Sequence, residues 1–245
     1  MPDSDTDLTT QAADALRTAP RLFVAGALSE GAVLAGNPAQ AHHLGGVLRH
    51  GPGDAVRLFN GVDGEFAARI EKLRKGNITF AVGPRLRPQA LESDVWLAFA
   101  LLKRDATDLV AEKATELGAA RLLPVLCARG QAGRVNLDRL RAIATSAAEQ
   151  SERLTVPMVH EPVTLPDLLG AWPAGRRLAA AIERAPGLPC PVSEGALLTG
   201  PEGGFTPGEL DALRAAPFIQ RVSLGPRVLR AETAAIAGLA LLLAR

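Results

Sequence analysis

The sequence is poor in the residues that usually mark special classes of protein. Its 245 residues include no tyrosine, two cysteines and two tryptophans, and aromatic residues make up 4% of the chain. The two cysteines, Cys127 and Cys190, supply neither a disulfide framework nor a metal-binding spacing, so we expect no metal site. Because 47% of the residues are nevertheless hydrophobic, we expect a core built from leucine, valine and alanine.

Long hydrophobic runs and a large charge of one sign are also missing. The longest apolar run, residues 234–244, is too short to span a bilayer, and the acidic, polar start does not resemble a signal peptide. We therefore expect a soluble cytoplasmic protein without a membrane partner. The formal net charge is +1, but residues 21–88 hold nine basic residues against five acidic ones, whereas residues 89–245 hold seventeen of each. Such a basic excess suits a polyanion, although ordinary solvated surfaces also show it.

The pattern along the chain predicts three segments. Residues 1–20 have one arginine against four aspartates and are expected to form a disordered leader. Residues 21–88 contain short alternating strands separated by turn signals such as Asn60-Gly61, which is typical of a small β-barrel. Residues 84–88 have the composition of a linker, so we place a domain boundary there.

Residues 89–245 alternate between strand and helix, which predicts an α/β domain with a mostly parallel sheet. Six strands are expected, the first being a continuous apolar run at residues 96–102 that suits a strand buried on both faces. Asp105 is expected to cap the first helix, with Gly118 just past its end, and Asn136 to cap the second. The final helix is apolar nearly all round and must be buried, either within its own domain or partly in a homodimer.

Two loops near the end of the chain are the strongest functional signal. Residues 198–205 read Leu-Thr-Gly-Pro-Glu-Gly-Gly-Phe, and residues 223–233 read Ser-Leu-Gly-Pro-Arg-Val-Leu-Arg-Ala-Glu-Thr. Each follows a predicted strand and precedes a predicted helix, which is where open α/β sheets bind ligands. Neither fits a nucleotide-binding glycine motif, so a small polar ligand is favoured over a dinucleotide or a nucleoside triphosphate.

These two motifs resemble the signature loops of the SPOUT methyltransferases, and most closely those of the bacterial family that methylates N3 of a uridine in 16S ribosomal RNA. Shorter matches occur elsewhere, at Lys103-Arg104-Asp105, at residues 112–118 and at residues 149–153. Residues 42–61 resemble the same family's PUA-like RNA-binding barrel. One departure is the segment from Cys127, where the family tends to have serines, so a hydroxyl contact there is in doubt.

The resemblance implies a SPOUT-like domain with a C-terminal trefoil knot behind a PUA-like β-barrel, a homodimer, and S-adenosylmethionine as the methyl donor. The catalytic candidates that it implies are Arg230, Glu202 and Glu232, with the choice between the two acids left open. The residues expected to hold the cofactor are Leu198, Thr199, Gly200, Pro201, Glu202, Gly203, Ser223, Leu224, Gly225 and Leu229.

The resemblance also implies 16S ribosomal RNA, within the small subunit or its precursor, as the partner. The candidates for RNA contact are His43, Arg49, Lys103, Arg104 and Arg153. His43 and Arg49 have an ordinary helix-surface role as the alternative, and Arg153 has a second option as the ion-pair partner of a carboxylate in the second loop. Two other functions stay open, namely methylation of a ribose 2′-hydroxyl or of transfer RNA, and a non-catalytic role in ribosome assembly.

Overall fold

The structure is a computed structural model, and it describes residues 16–131, 135–182, 188–189 and 195–243. The chain divides into two compact units, Met1–Leu91 and Glu92–Arg245. Residues 1–15, which are most of the predicted leader, and Cys190 lie outside the described residues. The predicted disorder is wrong at the end of the leader, because Ala19 is buried and Pro20 O accepts the Arg57 N–H at 2.8 Å.

The first unit is built on a five-stranded sheet with the order β1-β3-β4-β5-β2. The strands are β1 Arg21–Phe23, β2 Val33–Ala35, β3 Ala55–Phe59, β4 Glu65–Arg74 and β5 Asn77–Arg87. β1 pairs with β3 in parallel, and the other neighbours are antiparallel. The predicted series of short strands is therefore confirmed. Among the described residues the edge strands β1 and β2 do not pair with each other, so closure into a barrel stays a prediction.

One face of this sheet is covered by a short helical segment. Helix α1, Pro38–His42, begins at Asn37, whose side chain accepts a hydrogen bond from the Gln40 amide in a capping box. It continues directly into a π-helical turn, His43–Val47, from which Leu44 points inward and is fully buried. Alternation along the strands supplies the rest of this core. Its buried members include Val56, Leu58, Phe66, Ile70 and Phe80.

The predicted linker at residues 84–88 is wrong, because β5 continues to Arg87 and pairs there with Glu65. Pro84 is tolerated in this strand because the register of the β4–β5 pair shifts between Phe66 and Ala68, which is where sheets accept proline. The buried Glu65 carboxylate also forms ion pairs with Arg21, 3.0 Å away, and with Arg87. These contacts hold the end of the strand to the sheet, and the division between the units falls after Leu91.

The second unit contains a parallel sheet of eight strands. Seven follow the order β11-β13-β10-β12-β6-β7-β8, and β9 also pairs with β7. The strands are β6 Trp96–Ala100, β7 Arg121–Leu126, β8 Met158–Val159, β9 Val163–Thr164, β10 Leu178–Ala181, β11 Leu188–Pro189, β12 Ala196–Thr199 and β13 Ile219–Ser223. Every pairing is parallel. The predicted parallel α/β architecture is confirmed, with two short strands, β9 and β11, that the sequence did not predict.

Helices cover this sheet on both faces, so its central strands are fully buried, as the apolar run of β6 predicted. The helices are α2 Arg104–Leu117, α3 Leu137–Gln150, α4 Leu165–Gly170, α5 Pro207–Ala215 and α6 Ala231–Leu243. Asn136 caps α3 and Gly118 ends α2 in the left-handed conformation, as predicted. The predicted cap at Asp105 is wrong: Lys103 is the cap residue, α2 begins at Arg104, and Asp105 lies in the first turn, where its negative charge interacts favourably with the helix dipole.

Helix α6 is only partly buried by its own unit. Its inward residues are Ala231, Ala235, Gly238, Leu239 and Leu242, and they pack on β12, β6 and α2. Leu241 is 43% exposed, so an apolar strip of the helix stays in contact with solvent. Across the described residues, no helix combines the length and the hydrophobicity needed to cross a bilayer.

Candidate active site

A cleft of about 620 Å³ opens at the carboxyl edge of the parallel sheet of the second unit. Two loops form its walls: the first loop, residues 200–206, follows β12, and the second loop, residues 224–230, follows β13. Strand β10 lies between β12 and β13 in the sheet, and its last residue, Ala181, forms part of the floor together with Ile182. The loops meet because their strands are parallel and end at the same edge.

The first loop is held from both of its ends. Gly204 has a φ of +67° and donates its N–H to Pro201 O at 2.9 Å, which closes a tight turn. Phe205 anchors the loop in the core, and its ring packs so closely on Gly200 that a Cβ there would lie 2.8 Å from a ring carbon. Thr206 then starts α5 with a capping box in which Glu209 accepts the Thr206 N–H at 2.7 Å.

The second loop has fewer internal contacts and greater exposure. At its start, the Gly225 N–H donates to Ser223 Oγ at 3.3 Å, and Gly225 has a φ of +118° that favours glycine. Val228 is 61% exposed. At its far end, Arg230 O accepts the Ala234 N–H at 2.8 Å as α6 begins. Arg230 therefore lies at the junction of loop and helix, with its side chain exposed on the cleft.

Most of the residues predicted to hold a cofactor line this cleft. Eight of the ten do so: Gly200, Pro201, Glu202, Gly203, Ser223, Leu224, Gly225 and Leu229. The other two, Leu198 and Thr199, are the last residues of β12, and their side chains are buried within the unit. Of the three predicted catalytic residues, Arg230 and Glu202 line the cleft, whereas Glu232 lies in the first turn of α6 and does not.

Several lining residues were missed by the sequence analysis. Ala181 ends β10 and Ile182 follows it, and placing that strand between β12 and β13 would have found both residues. Leu210 comes from α5, and Arg129 comes from the loop after β7. These two carry no motif of their own, because their position depends on the strand order rather than on local sequence.

Cys127 lies close to this site but is not suited to act as a nucleophile. Burial, reinforced by the negative charge of Glu209, raises the pKa of its thiol to about 12. The thiol is therefore protonated at neutral pH, and a protonated thiol is a poor nucleophile. Among the residues that the structure describes, no group of three or more histidine, cysteine, aspartate or glutamate side chains is arranged to hold a metal ion.

Four of the five candidates for RNA contact are exposed. His43 and Arg49 lie in and just after the π-helical turn of the first unit, and Arg49 has an unusual positive φ of 59°. Lys103 and Arg104 lie at the start of α2 in the second unit, directly after the carboxyl end of β6. Each can reach a phosphate from solvent without first losing a protein partner that the structure shows.

The fifth candidate, Arg153, has a different role. It is 8% exposed, and its guanidinium donates to the Glu92 carboxylate, to Thr115 O, to Ala119 O and to Thr155 Oγ1. These bonds use all five N–H donors of an arginine. The expected contact with a phosphate or with the second loop is therefore wrong, because Arg153 instead satisfies carbonyl groups at the end of α2.

Comparison with known proteins supports the same division of the chain. A family model for an RNA methyltransferase domain matches residues 89–243, and a model for an RNA methyltransferase PUA domain matches residues 37–82. The ribosomal RNA small subunit methyltransferase E of Rickettsia conorii is 36% identical over 205 residues, which are 81% of this chain and 84% of that protein. The protein of the same name from Synechocystis sp. is 34% identical over 216 residues, 82% of this chain and 70% of that protein.

A solved structure agrees over nearly the whole length. The crystal structure of a ribosomal RNA small subunit methyltransferase E from Neisseria gonorrhoeae, bound to S-adenosyl methionine, superimposes with a TM-score of 0.80 at 30% identity. The match covers 91% of this chain and 95% of that one. Both units and the cleft therefore define the class as a PUA-containing RNA methyltransferase. Within that class, the chain belongs to the ribosomal RNA small subunit methyltransferase E family, which confirms the resemblance of the two loops.

Proposed function

We propose that this protein transfers a methyl group from S-adenosylmethionine to N3 of a uridine in the 16S ribosomal RNA of the small subunit. The observation that supports it most directly is the convergence of the two signature loops on one cleft, with Arg230 and Glu202 on its walls. The relatives' names point to ribosomal RNA of the small subunit.

The cleft suits the proposed cofactor in size and lining. Its volume of about 620 Å³ lies within the range of small-molecule sites, roughly 300–1,000 Å³. Leu229, Ile182 and Leu210 provide apolar surface, while the backbone of the two glycine-containing loops provides polar groups that approach closely. S-adenosylmethionine, when bound, supplies an electrophilic methyl group on a sulfonium centre.

The residues of the chain then have to orient the uracil and help N3 lose its proton. Arg230 stabilises the negative charge that develops on the uracil oxygens when this proton leaves. Glu202 accepts the proton or orients Arg230, and we prefer it to Glu232 because it lines the cleft. The walls of the cleft would also fix the position of the uracil, because orienting the reactants lowers the entropic part of the barrier.

The exposed cations are proposed to hold the RNA. His43 and Arg49 on the first unit, and Lys103 and Arg104 on the second, would contact phosphates, which position an RNA without reading its sequence. Their contribution should therefore weaken with added salt. A ribosomal substrate also implies a cytoplasmic location.

Two further features of the family complete the proposal. The exposed strip on α6 around Leu241 is proposed to form a homodimer, which sedimentation of the parent chain and of Leu241→Glu would test. A trefoil knot is proposed for the end of the chain. Its support is the order of the strands. β11 lies at the edge of the sheet next to β13, and β12 lies between β10 and β6; after β13 the chain returns as α6, which packs on β12.

The decisive experiment is mass spectrometry of digested ribosomal RNA from a deletion strain. The proposal expects one N3-methyluridine of the 16S RNA to be missing and to return when the parent chain is supplied, but not when Arg230→Ala is supplied. Loss of a ribose methyl group, or of a transfer RNA modification, would replace the proposal with another methylation. An unchanged set of modifications together with no binding of S-adenosylmethionine would indicate an assembly factor instead.

A further inference from the structure

A third loop supports the first loop from outside. It consists of residues 127–131, follows β7, and is called the β7 loop below. In the sheet, β6 lies between β7 and β12, so the β7 loop must cross the end of β6 to touch the first loop. The β7 loop makes two hydrogen bonds to residues on the far side of β6. Ala128 N–H donates to Glu209 Oε1 at 2.8 Å, and Arg129 Nη1 donates to Gly203 O at 3.2 Å.

The β7 loop is itself anchored, so it can act as a fixed support. The Gly130 N–H donates to Cys127 O at 3.0 Å, which closes a turn, and the Gln131 N–H donates to the O atom of Leu101, the residue after β6, also at 3.0 Å. Leu101 is buried in the core, and buried core segments are among the last parts of a protein to open, so the β7 loop is anchored on a stable part of the unit.

Close packing accompanies the bond to the first loop. A Cβ added at Gly203 would lie 3.2 Å from Arg129 Cβ and 3.5 Å from its Cδ. The backbone of Gly203 therefore rests directly on the arginine stem. Its carbonyl group belongs to the turn that the Gly204 N–H closes on Pro201, so the arginine holds that turn at its outer side.

The charges around Arg129 favour the contact of the β7 loop with Glu209 and Gly203. Burial alone would raise the pKa of the Glu209 carboxyl, but hydrogen bonds from the Thr206 N–H, the Ala128 N–H and the Thr206 hydroxyl, together with the charge of Arg129, outweigh it and lower this pKa. A guanidinium donating to a carbonyl group forms a charge-assisted bond, which is stronger than a neutral one.

We infer that Arg129 is a positioning residue that holds the first loop in the shape that binds the methyl donor. The inference rests on the proposed function, because it assigns the cofactor to this cleft. Arg129 acts through Gly203 and not on the reacting atoms. Its loss should therefore weaken cofactor binding while leaving turnover at saturating cofactor nearly unchanged.

The test compares Arg129→Met with Arg129→Lys and with Arg214→Met. Methionine keeps an apolar stem against Gly203 but removes every donor, whereas lysine keeps the charge and one flexible donor. Arg214 is an exposed residue of α5 paired with Asp211, so its replacement makes the same charge change at a site where an ion pair contributes little. Thermal unfolding of each variant shows whether the fold is intact.

Calorimetry with S-adenosylmethionine gives the first readout. Arg129→Met should weaken binding roughly tenfold, the loss of one charge-assisted hydrogen bond. Arg129→Lys should recover part of this loss, and Arg214→Met should bind like the parent. The kcat of Arg129→Met, measured at saturating cofactor, should stay within about threefold of the parent value. Parent-like binding by Arg129→Met would overturn the inference, and so would a large loss of kcat without a loss of affinity.

Hydrogen exchange without cofactor gives the second readout. The Gly204 amide should exchange faster in Arg129→Met than in Arg214→Met, because its bond to Pro201 O loses its outer support. Equal exchange in the two variants would overturn the inference even if the cofactor binds. Failure of the parent chain to bind S-adenosylmethionine would instead count against the proposed function, while the exchange rates would still decide whether Arg129 holds the loop.

Discussion

The two loops of the cleft differ in how firmly the rest of the unit holds them. The first loop is fixed by a core phenylalanine, a capping box and the β7 loop. The second is fastened, as far as the described residues show, by a short-range contact of Ser223 and by the start of α6. A firmly held loop suits the binding of a rigid adenosyl group, whereas a looser one suits a substrate that must enter and leave. Binding and chemistry should therefore respond to different substitutions.

Arg230→Ala, on the looser loop, should have the largest effect. We expect methyl transfer to fall at least about 100-fold, or about 2.7 kcal/mol of transition-state stabilisation, because a preorganised cation is lost. The affinity for S-adenosylmethionine should change little, and the fold should stay intact by circular dichroism. Arg227→Ala, which removes a cation from the same loop, should reduce turnover less than about tenfold. Near-normal turnover of Arg230→Ala would remove Arg230 from the chemistry.

Glu202→Gln should have the next largest effect on methyl transfer. A loss of rate would show that the first loop contributes to chemistry as well as to binding. If Glu202 takes the proton from N3, single-turnover rates should fall roughly 100-fold, as for loss of a general base. Glu232→Gln is the matched control, because it removes the same charge from a residue that does not line the cleft. A larger loss for Glu232→Gln would reverse our preference between the two acids.

Gly200→Ala should distort the first loop through a steric clash. The new Cβ would lie 2.8 Å from the Phe205 ring, and moving a buried ring should cost about 1–3 kcal/mol of folding free energy and weaken cofactor binding. Gly208→Ala is the control on α5, where a Cβ meets nothing within 4 Å and helix propensity favours alanine by up to about 1 kcal/mol. Urea unfolding should separate the two variants, and equal midpoints would contradict the close packing.

Glu209→Gln should have the smallest effect and a dependence on pH. The pKa of Glu209 is lowered in the folded protein, so its carboxylate contributes stability above its ordinary pKa, and this contribution is lost as the pH falls through the lowered value. At pH 7 the variant should lose about 1 kcal/mol, because the carboxylate accepts the Ala128 and Thr206 N–H groups on two oxygens and a glutamine amide keeps only one acceptor oxygen. Melting temperatures of parent and variant should converge toward pH 3, and a gap that is constant with pH would exclude this role.

The sequence predicted the architecture of the second unit well because two local signals agreed. Apolar strands alternate with capped helices there, and residues such as Asn136 and Gly118 end their helices in the structure as predicted. Both loops were found because their glycines and prolines lie directly between a strand and a helix. In the first unit, the linker at residues 84–88 was misplaced because a strand irregularity around Pro84 has the same composition as a linker.

The rest of the site depends on contacts between residues far apart in the chain. Arg153 was expected at the RNA or the second loop, but it meets Glu92, sixty-one residues earlier, inside the unit. Arg129 was missed because its partner, Gly203, follows it by seventy-four residues. Neither contact leaves a periodic or compositional trace, since each depends on which strands are neighbours in the sheet.

That neighbour relationship also sets the width of the cleft. The two loops leave strands that flank β10, and strands in a sheet are spaced about 4.8 Å apart, so the loops start roughly 10 Å from each other. The hydrogen bonds of the sheet hold this distance fixed, and no replacement within a loop changes it. The strand order therefore limits the width of the ligand. Loop substitutions can change the chemistry of the walls, but a wider molecule would require a different order of strands.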